Sequence, residues 1–156
     1  MAKYNEKGLF TATLMYEISL TAKFIRANVL QFFEKSGFEL SLSEFGALDT
    51  LTIHPDLCQR DLAKIILKDR ASTGRILNSL EQKGVVIRHI DTKNNRLVRK
   101  MELTDKGKKI HKEIIKILIP QLELMCEGLD PTFVCETKQI LGDIRNRVAK
   151  VIKMHI

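Results

Sequence analysis

The chain has no uninterrupted run of apolar residues approaching the ~20 positions of a membrane span, although hydrophobic side chains make up 44% of its 156 residues. The first residues, Met1-Ala2-Lys3-Tyr4-Asn5-Glu6-Lys7, lead into no secretory apolar region with a cleavage site, so a cytoplasmic protein with no membrane partner is expected. Cysteine is scarce: Cys58, Cys126 and Cys135 are an odd number without paired metal-ligand spacing, which argues against a disulfide scaffold or a zinc ribbon and for reduced thiols. Histidine is equally sparse, and His54, His89, His111 and His155 include no i, i+4 pair, so no metal site is expected. The sequence also lacks a phosphate-cradling glycine loop, a nucleophile with a base and a metal pair, which points away from an enzyme and from any cofactor. It carries no internal repeat and no low-complexity tract.

Acidic residues are in deficit. Nineteen Asp and Glu against twenty-six Lys and Arg leave a formal charge of +7, which favours a polyanionic partner without choosing among DNA, RNA and a membrane surface. Length and apolar content suffice for one domain, or one domain with a helical extension.

Apolar side chains at Phe10, Leu14, Ile18, Ile25, Val29 and Phe32 define one face of a long helix from about Leu9 to Glu34, stopped by Ser36-Gly37. Ser41-Leu42-Ser43-Glu44 reads as a capping box opening a second helix that buries Phe45, Leu48 and Leu51. His54-Pro55 ends it, and Cys58-Gln59-Arg60-Asp61-Leu62-Ala63 opens a third. Asp69 is a suitable N-cap for a fourth, with Ala71, Ile76, Leu77 and Leu80 facing inward, Arg70, Ser72, Arg75 and Ser79 outward, and Gly84 just past its end. Thr104 caps a fifth helix running to about Glu127, which Pro120 should kink, and Asp130-Pro131 starts a last one that carries Phe133, Ile140, Ile144, Val148 and Val151 to the C-terminus.

Between the fourth and fifth helices lie two β-rich segments, Val85 to Ile90 and Arg96 to Leu103, joined through Asn94-Asn95, residues that tolerate the positive φ of a tight hairpin. Leu97, Met101 and Leu103 share one face of this ribbon, and Arg96 is held near its tip, where a guanidinium can enter a narrow minor groove. A helix pair followed by a basic hairpin is a winged helix-turn-helix. The expected fold class is therefore mainly α with a small β-hairpin wing. The terminal helices are more apolar than the central region can cover, so residues 1–36 and 104–156 are expected to form a helical dimerisation region around a DNA-binding domain at 37–103.

Gln59-Arg60-Asp61-Leu62-Ala63, Arg75, Leu80-Glu81-Gln82-Lys83-Gly84, Arg88, Asp91, Arg96 and Leu103-Thr104-Asp105-Lys106-Gly107, in this order and spacing, resemble the MarR/SlyA family of dimeric winged-helix regulators. The resemblance covers nearly the whole chain in element order. It implies that the fourth helix enters the major groove of double-stranded DNA through Ser72, Thr73 and Arg75, that Arg96 enters the minor groove, and that the terminal helices make the homodimer. With their neighbours, the candidate DNA contacts are Lys68, Arg70, Ser72, Thr73, Arg75, Ser79, Arg88 and Arg96. It also implies a cleft for a small aromatic or anionic effector, for which Tyr16, Phe24, Phe45, Leu48 and His54 are the candidate lining residues. The chain departs from the family pattern in having Asn94 for a second wing acid, Gly74 for a helix Ser or Thr, and Cys58 for a Ser or Thr cap.

The function expected is that of a homodimeric regulator, a repressor on a pseudo-palindromic operator with half-sites about 10 bp apart, released by an effector. One alternative is redox control through Cys58, because a helix N-terminus favours the thiolate form of a cysteine. Another is a winged-helix adaptor for RNA or protein, which keeps the fold without base readout.

Overall fold

The molecule, described by a computed structural model, is defined over residues 9–55, 57–93 and 96–151, with the side chains of residues 90–99 outside that description. Six α-helices and a two-stranded antiparallel ribbon occur among the described residues, in the order α1 (Leu14–Ser36), α2 (Leu42–Ile53), α3 (Gln59–Ile65), α4 (Arg70–Gln82), β1 (Val86–Lys93), β2 (Arg96–Leu103), α5 (Asp105–Leu124) and α6 (Pro131–Val151). None of these helices is long and apolar enough to cross a membrane. The chain falls into two compact units, one up to Leu42 and the other from Ser43 onward.

In the first unit the helical periodicity beginning at Phe10 is broken once. Phe10–Ala12 form a separate 3₁₀ turn, and α1 starts at Leu14 because the Thr13 hydroxyl accepts from the Tyr16 amide at 3.2 Å and fixes an extended backbone at the cap. Gly37 ends α1 in the left-handed conformation (φ 63°), and Phe32, Phe33 and Phe38 pack edge to face around that end. Along the rest of α1, Leu14, Met15, Phe24, Ile25 and Leu30 stay exposed.

The second unit contains the winged helix-turn-helix. Leu48 and Leu51 from α2, Leu62 from α3, Leu77 and Leu80 from α4, Val85, Val86 and Met101 at the ribbon's base and Ile114 from α5 are almost completely enclosed. The ribbon runs in register from Val86↔Leu103 to Lys93↔Arg96, and Cys58 makes an isolated bridge to Lys100 that ties the start of α3 to β2. The Asn94-Asn95 turn expected at the tip lies outside the described residues. Helix α5 continues through Pro120, whose missing N–H leaves the Lys116 carbonyl without its partner one turn on.

Both helix ends that frame α4 close in the same way. After α4, Gly84 (φ 66°) donates to Glu81 O at 2.9 Å and Val85 to Leu80 O at 2.9 Å, a Schellman motif that turns the chain directly into the wing. After α3, Leu67 (φ 53°) donates to Lys64 O at 3.2 Å and Lys68 to Ala63 O at 3.0 Å, the same motif with leucine in the glycine position. A left-handed leucine costs about 1 to 2 kcal/mol, and at 71% exposure its side chain recovers little by packing. Leu67→Gly is expected to raise stability by about 0.5 to 1 kcal/mol after the larger unfolded-state entropy of glycine is subtracted. The check is the denaturant midpoint at constant slope; a lower midpoint would show that Leu67 contributes by packing.

Candidate nucleic-acid interface

Helix α4 is organised around three inward positions. Thr73, Leu77 and Leu80 follow i, i+4, i+7 and are each 0% exposed. This corrects the expected facing: Thr73 takes the interior place, its hydroxyl donating to Asp69 O at 2.9 Å so that burial leaves no polar group unpaired, while Ala71, off that stripe, is exposed. Thr73 therefore offers no side-chain surface to a nucleic acid.

The outward face opens with a short chain of hydrogen bonds. The Asp69 carboxylate caps α4 by accepting from the Ser72 amide at 2.8 Å and the Ser72 hydroxyl at 2.7 Å, and Arg75 Nη2 donates to Ser72 Oγ at 2.9 Å. Arg75 is exposed, yet its guanidinium is already oriented. The same two Ser72 bonds, hydroxyl first, hold the Asp69 carboxyl below the usual carboxylate range. A carboxyl depressed in the folded state contributes stability above its unfolded pKa, about 3.9, and loses it as the pH falls through the folded value. Asp69→Asn, which caps without titrating, is expected to lose less stability than wild type between pH 6 and pH 3; identical acid profiles would remove Asp69 from the account.

Beside the cap, Arg60, Ala63, Lys64, Leu67, Lys68, Asp69 and Arg70 line a cleft of about 450 Å³. It brings the candidates Lys68 (half-buried) and Arg70 (exposed) together with two cations of α3 that the pattern reading did not single out. Gln59 ties α3 to the start of α4 by donating to Arg70 O at 3.2 Å, and a Cβ on Gly74 would come within 3.2 Å of that same amide nitrogen, so glycine leaves the α3–α4 lock room to form.

Two other candidates are engaged elsewhere. Ser79 Oγ donates to Glu44 Oε1 at 2.5 Å, alongside Lys83 Nζ at 2.8 and 2.9 Å from the two oxygens of that carboxylate, which is only 7% exposed. Arg88 turns back onto α4, donating to Asn78 Oδ1 at 2.7 Å and to Glu81 through both Nε and Nη2. Both side chains thus bond to a carboxylate of another element, Glu44 of α2 for Ser79 and Glu81 of α4 for Arg88. The Arg96 backbone opens β2 opposite Lys93, and its side chain lies outside the described residues.

Cys58 precedes α3 without capping it. Its thiol donates to Asp61 Oδ2 at 3.0 Å, and this bond, reinforced by Arg60 at 3.6 Å and Lys64 at 3.9 Å, holds the Asp61 carboxyl below the usual range. Of the residues suggested for an effector cleft, Leu48 is wholly enclosed and Phe45 nearly so, stacked on His111 at 5.9 Å, which makes both of them core residues. Tyr16 packs edge-on against Phe10 at 5.6 Å, while Phe24 and His54 are exposed.

The expected element order, a helix-turn-helix with its second helix capped and a basic hairpin behind it, coincides with a family model: residues 40–98 match the model described as MarR family. Over that segment the chain is similar to the MarR family. It is 26% identical over 120 residues, 77% of each chain, to the uncharacterized HTH-type transcriptional regulator YybA of Bacillus subtilis (strain 168). Its fold is similar to that of a MarR-family transcriptional regulator from Silicibacter pomeroyi DSS (TM-score 0.77, 22% identity, covering 92% of this chain and 94% of that one). It is also similar to S. aureus MepR as solved in complex with DNA (TM-score 0.69, 19% identity, 92% and 99% covered). Against the MarR-family pattern, the glycine of Leu103-Thr104-Asp105-Lys106-Gly107 acquires a physical reason, since Gly107 sits where β2 turns into α5 with no space for a side chain.

Proposed function

We propose that this chain is a homodimeric, sequence-specific DNA-binding transcriptional regulator of the MarR family, acting in the cytoplasm as a repressor that a small aromatic or anionic effector releases. The observation that carries the reading is the exposed Arg75, oriented by Ser72 and Asp69 on the outer face of a capped helix. An arginine so held matches the paired acceptors O6 and N7 of guanine in a major groove, and its orientation before binding lowers the entropy cost of contact.

In this reading Arg75 and Ser72 face base edges, and Lys68 and Arg70, at the basic cleft, face phosphate. Arg96 serves the minor groove from the wing. Thr73, Ser79 and Arg88 leave the contact set and support the helix instead. Residues 37–103 act as the DNA-binding domain, and 1–36 with 104–156 as the dimerisation region. Supporting the second assignment, α6 exposes Phe133, Ile140, Val148 and Val151, large apolar side chains of the kind a second copy covers in an isologous contact. That MepR, a protein of the same fold, is solved with DNA supports the first.

The test is selection from a pool of randomised duplex DNA, with the bound fraction sequenced. An inverted repeat with half-sites about 10 bp apart is expected. A bound pool without any enriched motif would overturn sequence-specific recognition, and a single unrepeated half-site would overturn the dimer.

A further inference from the structure

Helix α4 is gripped from two sides by charged side chains that the DNA-contact reading leaves without a task. On one flank the Glu44 carboxylate, projecting from α2, accepts from Ser79 Oγ at 2.5 Å and from Lys83 Nζ at 2.8 and 2.9 Å. On the other, Arg88 from β1 holds Asn78 Oδ1 at 2.7 Å and the carboxylate of Glu81. At about 100° per residue the Ser79/Lys83 pair and the Asn78/Glu81 pair are about 150° apart around the helix axis, and Arg75 falls between them. The buried stripe of Thr73, Leu77 and Leu80 lies on the far side.

We propose that Glu44, opposed by Arg88, is a positioning residue that sets the roll of α4 about its own axis and so the aim of Arg75. The proposal rests on the functional reading above. Apolar packing alone leaves roll soft, because Leu77 and Leu80 tolerate rotation against a greasy neighbour, whereas hydrogen bonds are directional. The displacement at stake is large: a roll of about 20° carries a group about 6 Å from the axis through about 2 Å, more than a bidentate contact to a base tolerates. Stability is a poor reason to keep a carboxylate at this place, since a buried ion pair replaced by apolar residues of similar size is often no less stable. Direction is what the carboxylate adds.

The experiment compares wild type, Glu44→Gln, Ser79→Ala and the double variant Glu44→Met/Lys83→Met on a randomised duplex pool, scoring discrimination separately at each base position, with thermal unfolding run in parallel. The double variant keeps the packing and removes the directional bonds. It is expected to fold, to keep its affinity for unselected duplex, and to lose about tenfold of discrimination, the share one well-aimed side chain supplies, at the positions beneath α4 while those beneath the wing stay as in wild type. Glu44→Gln, which still presents an oxygen to Ser79 and Lys83, is expected to retain most of the discrimination, and Ser79→Ala to lose a part of it. A merely structural role predicts fewer active molecules and an unchanged preference profile. Should the double variant fail to fold, Ser79→Ala and Glu44→Gln decide the matter by the same readout. Wild-type profiles in every folded variant would overturn the positioning role, and a wild-type chain with no preference at any position would overturn the functional reading beneath it.

Discussion

Gly107→Ala is expected to destabilise the second unit by about 2 to 3 kcal/mol, the upper part of the range found when a packed interior is overfilled. A Cβ at this position would stand 2.2 Å from Val85 O and 3.2 Å from both Val85 C and Val85 Cγ1. The first of these is a backbone atom already committed, since Val85 O accepts from the Thr104 amide at 3.1 Å. The Thr104 hydroxyl donates to Gly84 O at 2.7 Å and accepts from the Gly107 amide at 3.0 Å, and Lys106 Nζ donates to Lys83 O at 3.0 Å. A methyl group cannot be accommodated by turning a side chain; the start of α5 has to move away from the end of α4, breaking several of these bonds together. For a chain of this size the loss corresponds to about 5 to 10 °C in Tm. A Tm within a degree or two of wild type would show that the junction opens without cost.

Arg75→Ala is expected to weaken binding to the best duplex by about 1 to 3 kcal/mol and to relax preference at one base position per half-site. Lys68→Ala removes a charge from the basic cleft beside the α4 cap, and should lower affinity evenly across sequences while reducing the slope of log K against log salt by about one contact. Ser72→Ala is intermediate, because it leaves Arg75 in place but removes the oxygen that orients it. Titrations of the three variants on one set of duplexes at several salt concentrations separate the roles. Equal and sequence-independent losses for Arg75 and Lys68 would mean that α4 contributes charge and no base readout.

Much of this architecture was legible because its signals are local. Asp69, Thr104 and Asp130 are read as caps from residue type and position, and each accepts the hydrogen bond expected of a cap: from the Ser72 amide at 2.8 Å, the Gly107 amide at 3.0 Å and the Thr132 amide at 2.7 Å. Gly84 announces the end of α4 for the same reason. What the sequence hides is pairing across elements. Glu44 reads as the partner in a capping box, and nothing in that reading points to Ser79 and Lys83, thirty-five and thirty-nine residues on, which its carboxylate meets; no periodicity encodes that separation. Arg88 looks like a basic wing residue, but a helix-to-strand turn folds it back onto Glu81. Thr73 is a candidate contact through the family resemblance alone, and residue type says nothing about a hydroxyl satisfied one turn back by Asp69 O. At Leu67, position alone calls for glycine, and the chain tolerates a strained leucine there.

Sequence-specific DNA binding is tested most directly by equilibrium competition: the full chain bound to a labelled duplex recovered by selection, challenged with excess unrelated duplex across a series of salt concentrations. The selected duplex is expected to stay bound when unrelated DNA is in large excess, and log K to fall linearly with log salt with a slope set by several phosphate contacts. Displacement by unrelated duplex at parity, or an affinity indifferent to salt, would contradict it.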